Sequence, residues 1–307
     1  MNIAILLCTK NGSSYIKEQL ISIAKQEFSE IDLYISDNNS NDGTREKIDA
    51  FIKENKNINI FFNEGRDLHF AKNFVYLAQT IEKNYSYYAF CDQDDIWDEN
   101  HLSRALGILN KQNSSIPLLY CSRTSLINKY GVKIGKSQKF SKRLSFQNAI
   151  VQSIAGGNTM IFNKESFELL SKVSIDLEIV SHDWLLYILV TGAGGKVTYE
   201  FTPSVNYRQH DKNIIGSNKG FLSKVKRLGM LLDGTFKKYN LINFAQLDHL
   251  DILTQTNQVI YKSYKKSFSG SVFSRIKNFI KSGVYRQSLM GDFALIISIL
   301  ANIINER

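Results

Sequence analysis

Phe90-Cys91-Asp92-Gln93-Asp94-Asp95-Ile96-Trp97 passes from an apolar run to an acidic one within a single residue. The run that leads into it, Tyr87 to Cys91, reads as a short buried strand. Three carboxylates follow within four residues. Like charges this close raise one another's pKa, so ionised together they call for a cation, most simply a hard divalent ion such as Mg²⁺ or Mn²⁺. The end of a strand in an α/β sheet is also where such folds bind substrate. The plainer reading is a solvated acidic turn capping the next helix, and the surrounding sequence has to decide between them.

Upstream, Ile3 to Cys8 is an apolar run ending in the turn cluster Thr9-Lys10-Asn11-Gly12, and Ser13 to Ala24 then shows helical spacing. Ile31 to Ser36 predicts a second strand, followed by the polar loop Asp37-Asn38-Asn39-Ser40-Asn41-Asp42-Gly43-Thr44, whose Thr44 is placed to cap a helix through Phe51 and Ile52. Ile58 to Phe62 predicts a third strand and Phe70 to Ile81 a helix. Four successive strand-helix units imply a parallel, doubly wound sheet with its loops gathered along one edge. Neither GxGxxG nor GxxxxGK[ST] occurs, which disfavours dinucleotide-binding oxidoreductases and P-loop NTPases.

At 307 residues and 43% hydrophobic content the chain can bury a large core, and two prolines exclude long Pro-rich linkers. The three cysteines, Cys8, Cys91 and Cys121, sit far apart in strand-like runs, as expected of reduced thiols in a cytoplasmic protein. The N-terminal apolar run is too short for a signal peptide, and Phe293 to Ile304 too short to span a bilayer. Net charge is +9, and it is unevenly placed: residues 219–307 hold 14 Lys and Arg against 5 Asp and Glu, while residues 1–218 are balanced. Two domains are therefore expected, 1–218 and a basic helical extension, 219–307.

Six motifs in order resemble the inverting glycosyltransferases of family 2, which have the GT-A fold. They are Thr9-Lys10-Asn11-Gly12, Asp37 to Thr44, the Asn73 helix after Asn63-Glu64-Gly65, Asp92 to Trp97, Gly156-Gly157-Asn158-Thr159, and His182-Asp183-Trp184. With Tyr207-Arg208-Gln209-His210, the set looks most like the rhamnosyltransferase-type subgroup that builds bacterial surface polysaccharides. The match covers about residues 3–216 and implies an α/β GT-A fold with a Rossmann-like mixed sheet, a nucleotide-sugar donor such as dTDP-L-rhamnose, and a saccharide acceptor, lipid-linked in this subgroup.

By that resemblance Thr9, Asn11 and Asp37 hold the base and ribose, Lys72 lies near the diphosphate, and Asp92 contacts ribose or a metal water. Asp94 ligates the metal, and His210 completes its shell or touches phosphate. Gly157, Asn158, His182 and Trp184 belong to the acceptor side. Asp183 is the candidate general base, because it falls in the first turn of an apolar helix, where the helix dipole favours the carboxylate. Each residue also has an ordinary structural reading: an Asx-turn for Asp37, a surface lysine for Lys72, a first-turn acid for Asp183. Asp95 is expected to support the acidic loop or cap the next helix, and Trp97 to pack.

From Lys219 the pattern changes. Phe221, Leu222, Val225, Leu228 and Leu231, and again Val272, Phe273, Ile276, Phe279 and Ile280, fall at helical spacing with lysines and arginines between them. Such helices suit an anionic membrane surface, placing the enzyme on the inner face of the cytoplasmic membrane. The other reading packs their apolar faces on the catalytic domain or a second subunit. Basic residues alternating with large aliphatics do not suit nucleic acid. A sugar-phosphate nucleotidyltransferase and a catalytically inactive membrane scaffold are the competing functions, with a phosphatase a more distant third.

Overall fold

The computed structural model describes residues 2–56, 58–82, 84–211 and 234–301. The first expected amphipathic helix, through Phe221 to Leu231, lies outside the described residues, as does the boundary expected at 218. The chain opens with β1 (Ile3–Thr9), α1 (Ile16–Ala24), β2 (Ile31–Asp37), α2 (Thr44–Glu54), β3 (Asn59–Glu64), α3 (Phe70–Thr80) and β4 (Tyr87–Cys91). These strands pair in parallel, β3 on β2, β2 on β1 and β1 on β4, as the four repeated units require.

After β4 the regular alternation stops. β5 (Ile96–Trp97), α4 (His101–Leu109), β6 (Leu118–Ser122), β7 (Ser125–Asn128), β8 (Lys133–Lys136) and α5 (Phe146–Ala149) lead to β9 (Ile161–Asn163). β9 inserts antiparallel between β4 and β6. α6 (Lys164–Leu170), α7 (His182–Gly192), β10 (Lys196–Glu200) and β11 (Val205–Gln209) follow. The result is a mixed seven-stranded sheet, ordered β10-β6-β9-β4-β1-β2-β3, and a four-stranded sheet, β5-β11-β7-β8.

Pleating splits the core in two. Ile3, Ile5 and Leu7 face one side with Ile16, Leu20 and Leu102, while Ala4 and Leu6 face the other with Phe74, Leu185 and Ile188. A strand buried on both faces has no polar side to show, which is why β1 and β4 read as continuous apolar runs. Thr44 is the first residue of α2, not its cap. Gly43 occupies the cap position at φ 87°, and Asp42 accepts from the Thr44 amide.

All eleven residues of α7 are buried, so it needs a second layer beyond the sheet. The C-terminal helices supply it: α8 (Thr235–His249), α9 (Gln255–Lys266), α10 (Val272–Ser282) and α11 (Leu289–Ala301). Phe236, Phe244, Leu247, Tyr261 and Tyr264 join the same core as α7. Gln246 donates to the Ser174 carbonyl at 2.8 Å, and Asn257 to the carbonyls of Thr191 and Gly192 at 2.9 Å. The described part of the basic extension thus continues the catalytic core.

Phe244, 2% exposed and ringed by Tyr261, Tyr264 and Phe268, is the anchor of this layer. Phe244→Ala should cost about 3 to 5 kcal/mol in urea unfolding and shift a single transition. Two separate transitions, with only one displaced, would show that the extension folds apart from the sheet.

Candidate active site

Thr9, Asp37 and Glu64 end β1, β2 and β3 in register, and Asp92 follows the end of β4. The parallel sheet therefore delivers four loops to one edge. Their hydrogen bonds tie them together. Asn11, at φ 51°, receives the Asn41 amide on Oδ1 at 3.0 Å and gives its own amide to Ser40 Oγ at 2.8 Å. Both Asp37 oxygens hold Ser40, one taking its hydroxyl at 2.5 Å and the other its amide at 3.1 Å. Asp42 binds Ser13 and Thr44; burial raises its pKa, but these bonds outweigh that and leave it lowered.

Gln93, to which the sequence reading assigned no role, clamps the first loop to the acidic one. Its Oε1 accepts from Thr9 Oγ1 at 2.5 Å and from the Lys10 amide at 2.9 Å, and its Nε2 donates to the Lys10 carbonyl at 3.1 Å. This closeness requires a glycine at 12, because a Cβ there would meet Gln93 Oε1 at 2.1 Å. The only sequence signal for it was an amide, able to donate and accept, set among carboxylates that only accept.

The three carboxylates of the acidic loop do not stay together as one cluster. Asp95 is fully buried, accepting from the Arg208 amide at 3.0 Å and from Asn158 Nδ2. Its pKa is raised well above the usual range, first by burial and then by Asp94 and Asp92, with those two bonds pulling the other way. Asp94 turns toward His210, with Oδ2 2.7 Å from Nε2. Asp92 is pushed up to about 8, by burial first and then by the charges of Asp94 and Asp183. Asp92 thus feels the charge of both residues expected to do the chemistry.

His210 reaches Asp94 because β11 pairs antiparallel with β5, immediately after the acidic loop. The pairing is fixed by Arg208, 1% exposed. Its guanidinium donates to the Asp94 carbonyl at 2.9 Å, the Lys129 carbonyl at 3.2 Å and Glu18 Oε2 at 2.6 Å. Tyr15 stacks on His210 with ring centroids 5.0 Å apart and lies 4.5 Å below the Arg208 cation. Arg208 stood inside a quoted motif without a role, and nothing in the sequence singled out Tyr15 or Glu18 as its partners, about 190 residues away.

Asp183 does fall in the first turn of α7, and its Oδ1 accepts from the Trp184 amide at 2.6 Å. Asp183 is itself only 7% exposed, and the residues expected on the acceptor side are buried around it. His182 is 4% exposed and stacked on Phe74 with centroids 3.9 Å apart, and burial drives its pKa down to about 4 against the pull of Asp183. Gly157 lies against that ring, since a Cβ there would meet Nε2 at 2.4 Å. Trp184 donates its indole N–H to the Ala149 carbonyl at 2.7 Å, and Asn158 is committed to Asp95. Lys72 is paired with Glu178 at 3.3 Å.

Among the described residues, no three His, Cys, Asp or Glu side chains converge into a complete cation cage. A divalent ion that keeps water and substrate oxygens needs only one or two protein groups. The Asp94 carboxylate and His210 imidazole, already within 2.7 Å of each other, fit that requirement.

A mixed sheet with one antiparallel insertion, with carboxylates and a histidine gathered at its carboxyl edge, defines the GT-A class of glycosyltransferase. Residues 4–170 match the family model described as Glycosyl transferase family 2. The chain is 30% identical over 241 residues to the dTDP-rhamnosyl transferase RfbG of Shigella flexneri, covering 76% of this chain and 81% of that one. Its fold is similar to Staphylococcus aureus TarS 1–349 in complex with UDP-GlcNAc, at TM-score 0.58 and 14% identity, covering 92% and 81% of the two chains. It is also similar to the mannosyltransferase PcManGT of Pyrobaculum calidifontis in complex with GDP-Man and Mn²⁺, at TM-score 0.52 and 14% identity, covering 99% and 74%. The chain belongs to glycosyl transferase family 2 and is a glycosyltransferase; the nucleotidyltransferase and phosphatase readings fall away.

His182 stays neutral in the folded protein down to about pH 4, whereas an unfolded histidine takes up a proton near 6.5. Below 6.5 the unfolded state therefore binds more protons, and stability is lost as pH falls from about 6.5 to about 4. His182→Gln should flatten the fall in melting temperature across that window. An unchanged slope would mean that His182 is protonated in the folded state.

Proposed function

We propose that this glycosyltransferase inverts the anomeric centre of a nucleotide sugar, with Asp183 as general base and Asp94 and His210 holding the divalent ion at the diphosphate. The observation that supports the reading is that one short turn touches both sites: Gly157 packs against the His182 ring, next to Asp183, while Asn158 donates to Asp95, next to Asp94.

Asp183 takes the proton from an acceptor hydroxyl, whose oxygen attacks the anomeric carbon from the face opposite the diphosphate. The bond from that carbon to the diphosphate oxygen breaks, and its electron pair leaves with the nucleoside diphosphate. Asp183 stands in the first turn of α7, at the positive end of the helix dipole. Bound beside Asp94 and His210, Mg²⁺ or Mn²⁺ supplies the positive charge that stabilises the leaving diphosphate. Thr9, Asn11 and Asp37, on the loops that close the edge of β1 and β2, hold the nucleoside. Gln93 keeps those loops against the acidic one, and Arg208 keeps Asp94 facing His210. Packed as they are, His182, Trp184 and Asn158 set the position of Asp183 and the acidic loop from beneath, and Gly157 makes room for the His182 ring.

The likeness to RfbG supports dTDP-rhamnose as donor, and 30% identity over 115 residues to WfgD of Escherichia coli, named as a glucosyltransferase acting on alpha-D-GlcNAc-diphosphoundecaprenol, supports a lipid-carried saccharide acceptor. Melting temperature measured with dTDP, UDP, GDP and ADP, each with and without Mn²⁺, should rise most with dTDP and only when the ion is present. Asp94→Asn should abolish that ion-dependent rise. Asp183→Asn should leave it intact while lowering transfer roughly 10² to 10⁴-fold. Loss of nucleotide stabilisation in the Asp183 variant would remove it from the role of base. No response to any nucleotide would favour an inactive scaffold.

A further inference from the structure

α10 and α11 are the only described helices of the extension that leave large apolar side chains in solvent as continuous stripes. On α10, Phe273, Ile276 and Ile280 are 80%, 39% and 70% exposed at i, i+3 and i+7 spacing. On α11, Leu289, Met290 and Phe293 are 73%, 70% and 67% exposed, and the stripe continues to Leu300. The two helices are fastened to each other. Arg275, 2% exposed, donates from α10 to the Ile299 carbonyl of α11 at 2.6 Å, and also to the Ser267 carbonyl. They are fastened to the catalytic core as well, through Lys142 to Asp292 at 2.7 Å and Asn148 to the Tyr285 carbonyl at 3.1 Å. Apolar surface of this extent on an anchored helix pair, uncovered among the described residues, marks an interaction site.

Charge identifies the occupant. Lys277 and Lys281, both exposed, lie one position beyond Ile276 and Ile280 on α10. Neither helix carries an acid except Asp292, and its two oxygens are taken by Lys142 and by the Arg286 amide. A second copy meeting this face across a two-fold axis would set lysine against lysine with no acid to answer it. An anionic lipid surface offers both what the stripes need and what the lysines need. No described helix is long and apolar enough to cross a membrane, so contact is by lying on the surface.

We propose that α10 and α11 form a docking face for an anionic membrane, with Phe273, Ile280, Leu289, Met290 and Phe293 entering the interface and Lys277 and Lys281 meeting lipid phosphate. The proposal stands apart from the transfer chemistry, since it concerns none of the residues at the carboxyl edge.

The full-length protein should co-sediment with vesicles containing phosphatidylglycerol, much less with pure phosphatidylcholine vesicles, and less again as salt is raised. Lys277→Ser with Lys281→Ser should weaken binding to the anionic vesicles roughly tenfold or more. Phe273→Ser with Ile280→Ser should weaken it comparably. Both double variants change only exposed side chains, so their melting temperatures and nucleotide responses should match the parent. Equal binding to both vesicle types, binding to neither, or double variants that bind like the parent would overturn the proposal. So would a dimer in sedimentation velocity that Phe273→Ser with Ile280→Ser dissociates while vesicles stay unbound, which would assign the face to a second copy.

Discussion

Holding carboxylates of like charge near one another at a half-buried edge is the constraint on which this structure depends. Asp92, Asp94 and Asp95 come from the loop after β4 and Asp183 from the first turn of α7, and left unpartnered they would repel. The protein resolves this by giving each a different environment. Asp95 is buried and held by Asn158 and the Arg208 amide, Asp94 faces His210, Asp183 sits at the positive end of α7, and Asp92 has its pKa raised, by burial first and then by the charges of Asp94 and Asp183.

Each of those environments needs its own support, and the support explains much of the fold. The second sheet exists, in functional terms, to bring β11 alongside β5, so that Arg208 and His210 meet the acidic loop. Arg208 holds that arrangement from within, buried and bonded to main chain on two sides and to Glu18 on a third. Burying a cation this deeply is tolerable only because each of these groups compensates it. α7 is supported in the same way: buried on every side, it can project Asp183 at the sheet edge only if a second helical layer covers its back. α8 and α9 are that layer. The basic extension thus supports Asp183, the proposed base, from behind while its last two helices face outward.

Much of this was legible in the chain. The continuous apolar runs located β1 to β4, the helical spacing located α1, α3 and α10, and the family resemblance carried by the ordered polar motifs named Asp94, Asp183 and His210 as the residues to watch. The loops from 123 to 180 were opaque, because β7, β8 and the short α5 have neither the length nor the periodicity to stand out, and β9 enters its sheet against the direction of its neighbours. Gln93, Arg208, Tyr15 and Glu18 were passed over for a related reason. Their partners are distant in sequence, and a side chain's role as a clamp is a property of the pair.

The sequence by itself determined which residue types stand at the ends of which strands, since that follows from local pattern and from the rule that a parallel sheet gathers its loops at one edge. Only the tertiary structure decided how the acidic loop divides its carboxylates and that His182, Trp184 and Asn158 are packed beneath the site. It also decided that the tail is part core and part exposed face. Those outcomes depend on which surfaces meet, and a helix such as α7, buried on every side, carries no record of what will cover it until the rest of the chain has folded against it.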